Sequence, residues 1–404
     1  MLVSALALTS GLHSSTVIRA DDPNIQFIGR SQPGPTAGTI EFDMPGCEIR
    51  AKLVLAAPSC VSINLGQRHE AHPTGPSATG NTKNSGYQSN AFVVWVDGKR
   101  QAIANNATFV TVVPDAAVYP YDLSGAPSTE AGCVAWPTGP HDFRIFKATE
   151  ADWNGGSPVA NFVTFHGFTV HGSAAAPATT APGSPLPTRK IEFLGDSITA
   201  GYCNECPQAL AELGAPIPSD HSEAYGATWD HQICELLDAQ CHTAAWSGLG
   251  MVRNCCGGNT TMPVIFKETL ATVSAQGGGV AWDWSKWVTD ALVINLGTND
   301  GSASTDPKYT YVQTYTDLVM NASVNYGKNL HVFLACGPMS EHYCEPVFDV
   351  IGNLTSKGVH AHFLDQRGFL NGTFGPACCG HPSIEVDTAM AKSGAAFIKA
   401  TMGW

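Results

Sequence analysis

Four places in the C-terminal half of the chain carry groups that together could run acyl transfer. Ser197 lies in "KIEFLGDSITAGY", Ser247 and Gly248 in "AAWSGLGMVRN", Asn299 in "VINLGTND" and His381 in "CCGHPSIEVD". Hydrolysis through a covalent intermediate needs a nucleophile, a base to take its proton, and hydrogen-bond donors for the oxyanion. A serine, a histidine, a glycine N–H and an asparagine amide would supply that set. Each is weak alone. Gly-Asp-Ser is a common turn tripeptide, Gly-Thr-Asn-Asp can be a simple Asx turn, and His381 is one of 14 histidines. The Gly-x-Ser-x-Gly elbow of α/β-hydrolases occurs nowhere in the chain, which disfavours that serine fold.

Their placement along the chain raises their joint weight. Short Val-, Ile- and Leu-rich runs, "KIEFLG", "CHTAAW", "ALVINLG", "LHVFLAC" and "VHAHFL", read as five strands. Helical patterns fall between or after them near 227–239, 263–275, 308–326, 342–356 and 384–401, the last with Ser383 as N-cap. Strands alternating with helices predict a parallel sheet covered on both faces. Ligands bind such sheets outside the carboxyl ends of the strands. Ser197 follows the first strand, Ser247-Gly248 the second and Asn299 the third, and His381 follows the fifth, so all four are expected at one edge. Asp387, inside the last helix, reads as a surface or capping residue. Trp246 and Tyr202 flank the candidate site and could either stack on a sugar ring or belong to the core.

The first half differs. "IQFIGRS", "GTIEFDM", "EIRAKLVLA", "AFVVWVDG", "ATFVTVV", "HDFRIFKAT" and "NFVTFHGFTV" are β-rich runs broken by Gly, Pro, Asn and Asp, the pattern of an antiparallel sandwich. "GSAAAPATTAPGSPLPT", from Gly172, has no periodicity and reads as an extended linker. The expected organisation is a signal peptide or disordered N-terminus over 1–20, a β-sandwich over 21–171, a linker over 172–189 and an α/β domain over 190–404.

The 404 residues are 44% hydrophobic and only 14% charged, against ~25% charged in a typical protein. The formal charge of −13 argues against nucleic acid as a partner, and no apolar run approaches a membrane span. An apolar start, "MLVSALALTSGLHSS", five sequons (at Asn106, Asn259, Asn321, Asn353 and Asn371) and 13 cysteines point to export into an oxidising compartment. The cysteine spacings fit no zinc finger or ribbon, so disulfides rather than a metal are expected.

The blocks "FLGDSITAGY", "WSGLG", "VINLGTND" and "GHPS" resemble the ordered blocks of the SGNH (GDSL-type) esterase superfamily. "IQFIGRS", "HDFRIFKATEADW" and "SGLGMVRN" are further similar to one branch, carbohydrate esterase family 2. The resemblance implies a jelly-roll β-domain ahead of a flavodoxin-like SGNH domain, and a secreted, cofactor-free and metal-free monomer. Such an enzyme removes acetyl groups from polysaccharides such as xylan and glucomannan. It implies Ser197 as nucleophile, His381 as base, an oxyanion hole of Ser197 N–H, Gly248 N–H and the Asn299 amide, and structural roles for Asp196 and Asp300. The chain departs from the pattern in two places. Cys378 and Cys379 stand where an orienting aspartate is usual, which implies a Ser–His dyad with a backbone carbonyl holding the histidine. Leu249 stands where the branch usually has lysine. The competing readings are an SGNH hydrolase of other small or lipid esters, and a catalytically inactive carbohydrate-binding protein.

Overall fold

A computed structural model of the chain describes residues 14–67, 92–101, 109–111, 136–151, 153–154, 157–158, 163–172, 177–205, 225–255, 259–271, 279–302, 307–370 and 380–404. The first half is a two-sheet antiparallel sandwich. One sheet holds β1 (Ser14–Ile18), β3 (Gln32–Pro33), β4 (Ile40–Phe42), β6 (Cys60–Gln67), β9 (Phe109–Thr111) and β13 (Val163–Gly172). The other holds β2 (Gln26–Ile28), β5 (Glu48–Leu55), β7 (Phe92–Val96), β8 (Lys99–Gln101), β10 (Gly139–Lys147) and β14 (Thr179–Ala181). A small hairpin joins β11 (Trp153–Asn154) to β12 (Ser157–Pro158). The period of two is plain in β5, where Ile49, Ala51, Leu53 and Leu55 are buried. They meet Val61, Ile63 and Leu65 of β6 and Val163 and Phe165 of β13 in one core, as two inner faces of a sandwich must.

Two of the expected boundaries need correction. Ser14–Ile18, expected within a signal peptide or disordered start, is β1, paired antiparallel with Phe168–Gly172. Thr179–Ala181, expected within an extended linker, is β14, paired with Lys52–Val54. Thr180 is pinned there by its hydroxyl, which donates to Asp22 Oδ1 at 2.9 Å and accepts from Asn24 Nδ2 at 2.9 Å. A Thr-Thr pair suits a strand, and the open edge of β5 supplied the partner that composition alone could not reveal.

The second half is a five-stranded parallel sheet of β15 (Arg189–Gly195), β16 (Ala239–Ala245), β17 (Ala291–Asn295), β18 (His331–Cys336) and β19 (His360–Asp365), in the order β16-β15-β17-β18-β19. Against one face lie α2 (Trp229–Leu237) and α6 (Ile384–Met402), which bury Trp229, Ile233, Val386 and Met390 on Phe193, Val293 and Phe333. Against the other lie α4 (Lys308–Tyr326) and α5 (Cys344–Ser356), through Tyr315, Val319, Val347 and Leu354. Of the helix expected over 263–275, the described residues show α3 (Met262–Ile265), a break over 266–270 and a helical Ala271, while 272–275 lie outside the described residues. The chain turns away because Lys267 O and Thr269 N bond back to Trp282 N and Val280 O. The helix expected from 342 begins at Cys344, and Asp238, at φ +49°, ends α2 before residue 239. Disulfides tie Cys234 of α2 to Cys241 of β16, and Cys336 of β18 to Cys344 of α5. Cys60, Cys203 and Cys255 are also disulfide-bonded, while Cys47 is a buried free thiol pushed up to about 12 by burial.

The two halves are docked on each other through buried polar contacts. Arg30 donates to Glu192 Oε1 of β15 at 2.8 Å, both side chains being out of solvent, and also to Phe266 O at 2.7 Å and Glu268 O at 2.8 Å. Beside it Gly29 N–H donates to His242 Nε2 of β16 at 3.0 Å, and the imidazole stacks on Trp287 at 3.6 Å. Burial, then the charges of Arg30 and Lys190, hold His242 well below the usual imidazole range. Protonating it would also convert the acceptor of the Gly29 bond into a donor. A depressed histidine leaves stability intact above its unfolded pKa of ~6.5 and removes it as pH falls toward the folded value. The melting temperature is therefore expected to fall from roughly pH 6.5 downward. A His242→Gln variant, whose amide oxygen can accept the same N–H without titrating, should flatten that part of the curve. Parallel curves for the two proteins would rule out this histidine as the source.

Candidate active site

β15 delivers the serine. From Ile191 the strand is fully buried, and Gly195 at its end packs so tightly that a Cβ there would come within 2.0 Å of Thr199 Oγ1. Asp196 caps the one-turn helix α1 (Ser197–Ala200), its Oδ1 accepting Ile198 N–H at 3.0 Å. Ser197 is the first residue of that turn, where a backbone N–H has no acceptor within the helix. Its side chain meets His381, with Oγ and Nε2 2.8 Å apart. His381 reaches this point from the loop before α6, and the Tyr202 ring packs edge-on against it at 5.0 Å. Ser383 occupies the N-cap position of α6, though its hydroxyl makes no cap bond. Cys378 and Cys379 lie outside the described residues.

The loop after β16 turns sharply at residues 246–249. Leu249 N–H bonds back to Trp246 O at 3.2 Å, and Gly248 sits at φ +81°, the backbone of a type II turn, which needs glycine at its third position. The loop after β17 holds this turn in place. Asp300 accepts Met251, Val252 and Arg253 N–H at 2.9, 2.7 and 3.1 Å. Asn299 Nδ2 donates to Leu249 O at 2.7 Å and to Asp196 Oδ2 at 3.1 Å. The site's three loops are thus tied together at the switch in strand order, between β15 and β17, where such sheets bind ligands. Burial raises both aspartates: Asp196 is pushed up to about 7, with Asp300 and Glu150 adding to the effect, and for Asp300 burial outweighs the three N–H bonds and Arg253.

Several expectations change here. An amide nitrogen has two hydrogens, and both of Asn299's are engaged by Asp196 and Leu249, so in this arrangement the amide is a tie between loops. Trp246 is 3% exposed and packs in the core, with no open face for a sugar ring. Leu249 is buried in the same core, a position that a lysine side chain would leave. Asp387, expected as a surface or capping residue, is 1% exposed, and its Oδ2 accepts Asn204 Nδ2 at 3.1 Å, joining the start of α6 to the loop after α1. Burial drives its carboxyl well above the ordinary range. Its place in the first turn of α6, four residues after Ser383, pointed to a cap; the loop packed over that turn encloses it. Glu150, from the sandwich, was not singled out in the sequence, yet its Oε2 accepts Ser247 N–H. Among the described residues no cluster of histidine, cysteine or carboxylate has metal-binding geometry.

No family model matches the chain. Among curated proteins it is 31% identical over 301 residues to a cellulase/esterase, CelE, of Acetivibrio thermocellus, covering 73% of this chain and 34% of that protein. The chain therefore spans about a third of the length of that relative. It is 25% identical to an acetylxylan esterase/glucomannan deacetylase of Cellvibrio japonicus over 100% of this chain and 96% of that one. A solved family two carbohydrate esterase from Clostridium thermocellum, in complex with cellohexaose, superimposes with a TM-score of 0.70 at 24% identity, covering 94% and 99% of the two chains. The fold is that of the solved family 2 carbohydrate esterases. The likeness to these esterases read from the motifs holds, as does the expected pairing of an antiparallel sandwich with a parallel α/β sheet.

Proposed function

We propose that this family 2 fold is a secreted carbohydrate O-acetylesterase that works through a Ser197–His381 dyad and an acyl-enzyme. The 2.8 Å contact between Ser197 Oγ and His381 Nε2 carries this reading. Nε2 takes the hydroxyl proton as Oγ attacks the acetyl carbonyl, and the oxyanion forms against Ser197 N–H and Gly248 N–H. The Asn299 amide joins them by releasing one of its two bonds. The C–O bond to the sugar then breaks, and the sugar oxygen leaves with the proton from His381. Water, deprotonated by the same nitrogen, attacks the acetyl-serine and frees acetate. A carbonyl accepting Nδ1–H would keep Nε2 as the base.

The names of the relatives, an acetylxylan esterase/glucomannan deacetylase and a cellulase/esterase, support acetylated xylan or glucomannan as substrate. The neutral polar chemistry of both suits an acidic protein with no need of a charged ligand. Acetate release from each polysaccharide, compared between the intact protein and Ser197→Ala, tests the reading. Release by the intact protein alone supports it and ranks the two substrates. Turnover of aryl acetates with no release from polysaccharide would move the substrate to small esters. No turnover of any ester would leave a carbohydrate-binding protein.

A further inference from the structure

We infer that Glu150 of the β-sandwich is a positioning residue for acyl transfer: by holding Ser247 N–H it sets the direction of Gly248 N–H. The inference rests on the esterase reading of the site.

Glu150 belongs to "KATEADW", just beyond β10, in a segment stapled from within. The ammonium of Lys147, itself fully buried, donates to Thr149 O and to Glu150 O at 2.9 Å. The Glu150 side chain is 6% exposed, and its Oε2 lies 2.5 Å from Ser247 N. A carboxylate accepting a backbone N–H in a dry setting makes a strong, directional bond.

The turn at 246–249 explains why that bond matters. Its central peptide, between Ser247 and Gly248, carries Gly248 N–H. Type I and type II turns differ mainly by a flip of this central peptide, so the turn type decides whether Gly248 N–H faces Ser197. The turn's last peptide and the one leaving it are held from the α/β side, by Cys255 N–H on Gly248 O at 3.0 Å and by Asn299 on Leu249 O. Ser247 N–H, at the first corner, is held from the sandwich. A negative charge beside a developing oxyanion is electrostatically unfavourable in itself. What the carboxylate contributes is geometry, and it makes the sandwich a working part of the site.

The test is steady-state hydrolysis of 4-nitrophenyl acetate by the full chain and by Glu150→Ala, Glu150→Asp and Glu150→Gln. Misplacing one oxyanion donor by about an ångström is expected to lower kcat on the order of 10- to 100-fold in Glu150→Ala, with KM little changed. Glu150→Asp should lie between the two, and Glu150→Gln, whose amide oxygen can accept the same N–H, should regain most of the rate. Should the alanine variant fail to fold, the aspartate variant carries the test by the same split of kcat from KM. Wild-type kcat in both Glu150→Ala and Glu150→Asp, with Ser197→Ala inactive, overturns this inference and leaves the esterase standing. A wild-type protein inactive on every ester overturns both.

Discussion

Replacing His381 by alanine is expected to lower kcat for acetyl-ester hydrolysis by roughly 10⁴-fold or more, with KM little changed, and Ser197→Ala should do the same. In the proposed mechanism the two side chains are one device. Without the imidazole, Ser197 Oγ must attack as a neutral hydroxyl; without the hydroxyl, His381 has no proton to take. The Ser197→Ala/His381→Ala double variant should therefore be no slower than either single variant. Residual turnover in His381→Ala is expected to rise steadily with pH, because only solvent hydroxide can then remove the serine proton. The fall should be smaller than in a protease whose histidine is backed by a carboxylate, since the intact dyad starts from a lower rate. A loss under about tenfold in His381→Ala would mean that another group takes the proton, against the base role argued from the 2.8 Å contact.

The second large effect is on stability. Arg30→Ala is expected to destabilise the protein by about 3–5 kcal/mol, read from urea unfolding, because it leaves Glu192 charged and buried without its counter-ion. Arg30 Nη2 and Tyr326 OH bond the two oxygens of Glu192 at 2.8 and 2.6 Å, and Arg30 Nη1 also serves two backbone carbonyls. The guanidinium lies 5.0 Å from the Trp282 ring and 5.3 Å from the Phe266 ring. An Arg30→Met/Glu192→Leu double variant removes both charges together and should lose much less than Arg30→Ala, since the desolvation of two ions disappears along with their attraction. Additive losses would show that the pair is not coupled. Because Arg30 lies in the sandwich and Glu192 in β15, the same variants report how firmly the halves are docked.

The docking also explains which features the sequence could disclose. The strand-end placement of the candidate site was legible because Ser197, Gly248 and Asn299 each follow a short apolar run, and the hydrophobic period of such runs is a local property. The sandwich and the parallel sheet follow from the same periods, as does the order of the helices. Linker composition misled at Thr179–Ala181, where an open strand edge recruited three residues that look disordered in isolation.

What the sequence by itself determined is the kind of most elements and which polar side chains stand at the strand ends, since both are written in spacings of a few residues. The tertiary structure alone decided the partners. Glu150 reaches Ser247 across 97 positions and Arg30 reaches Glu192 across 162. "KATEADW" and "IQFIGRS" carry those residues, but nothing local marks either as more than a charged side chain beside a strand. The burial of Trp246 and Asp387 was hidden for the same reason: a residue at a strand end or in the first turn of a helix is covered or exposed according to what packs over it. Only the docking of sandwich on sheet, and of loop on loop, settles that. A buried carboxylate or guanidinium gains its role from the partner that desolvation obliges it to find, and that partner comes from elsewhere in the chain.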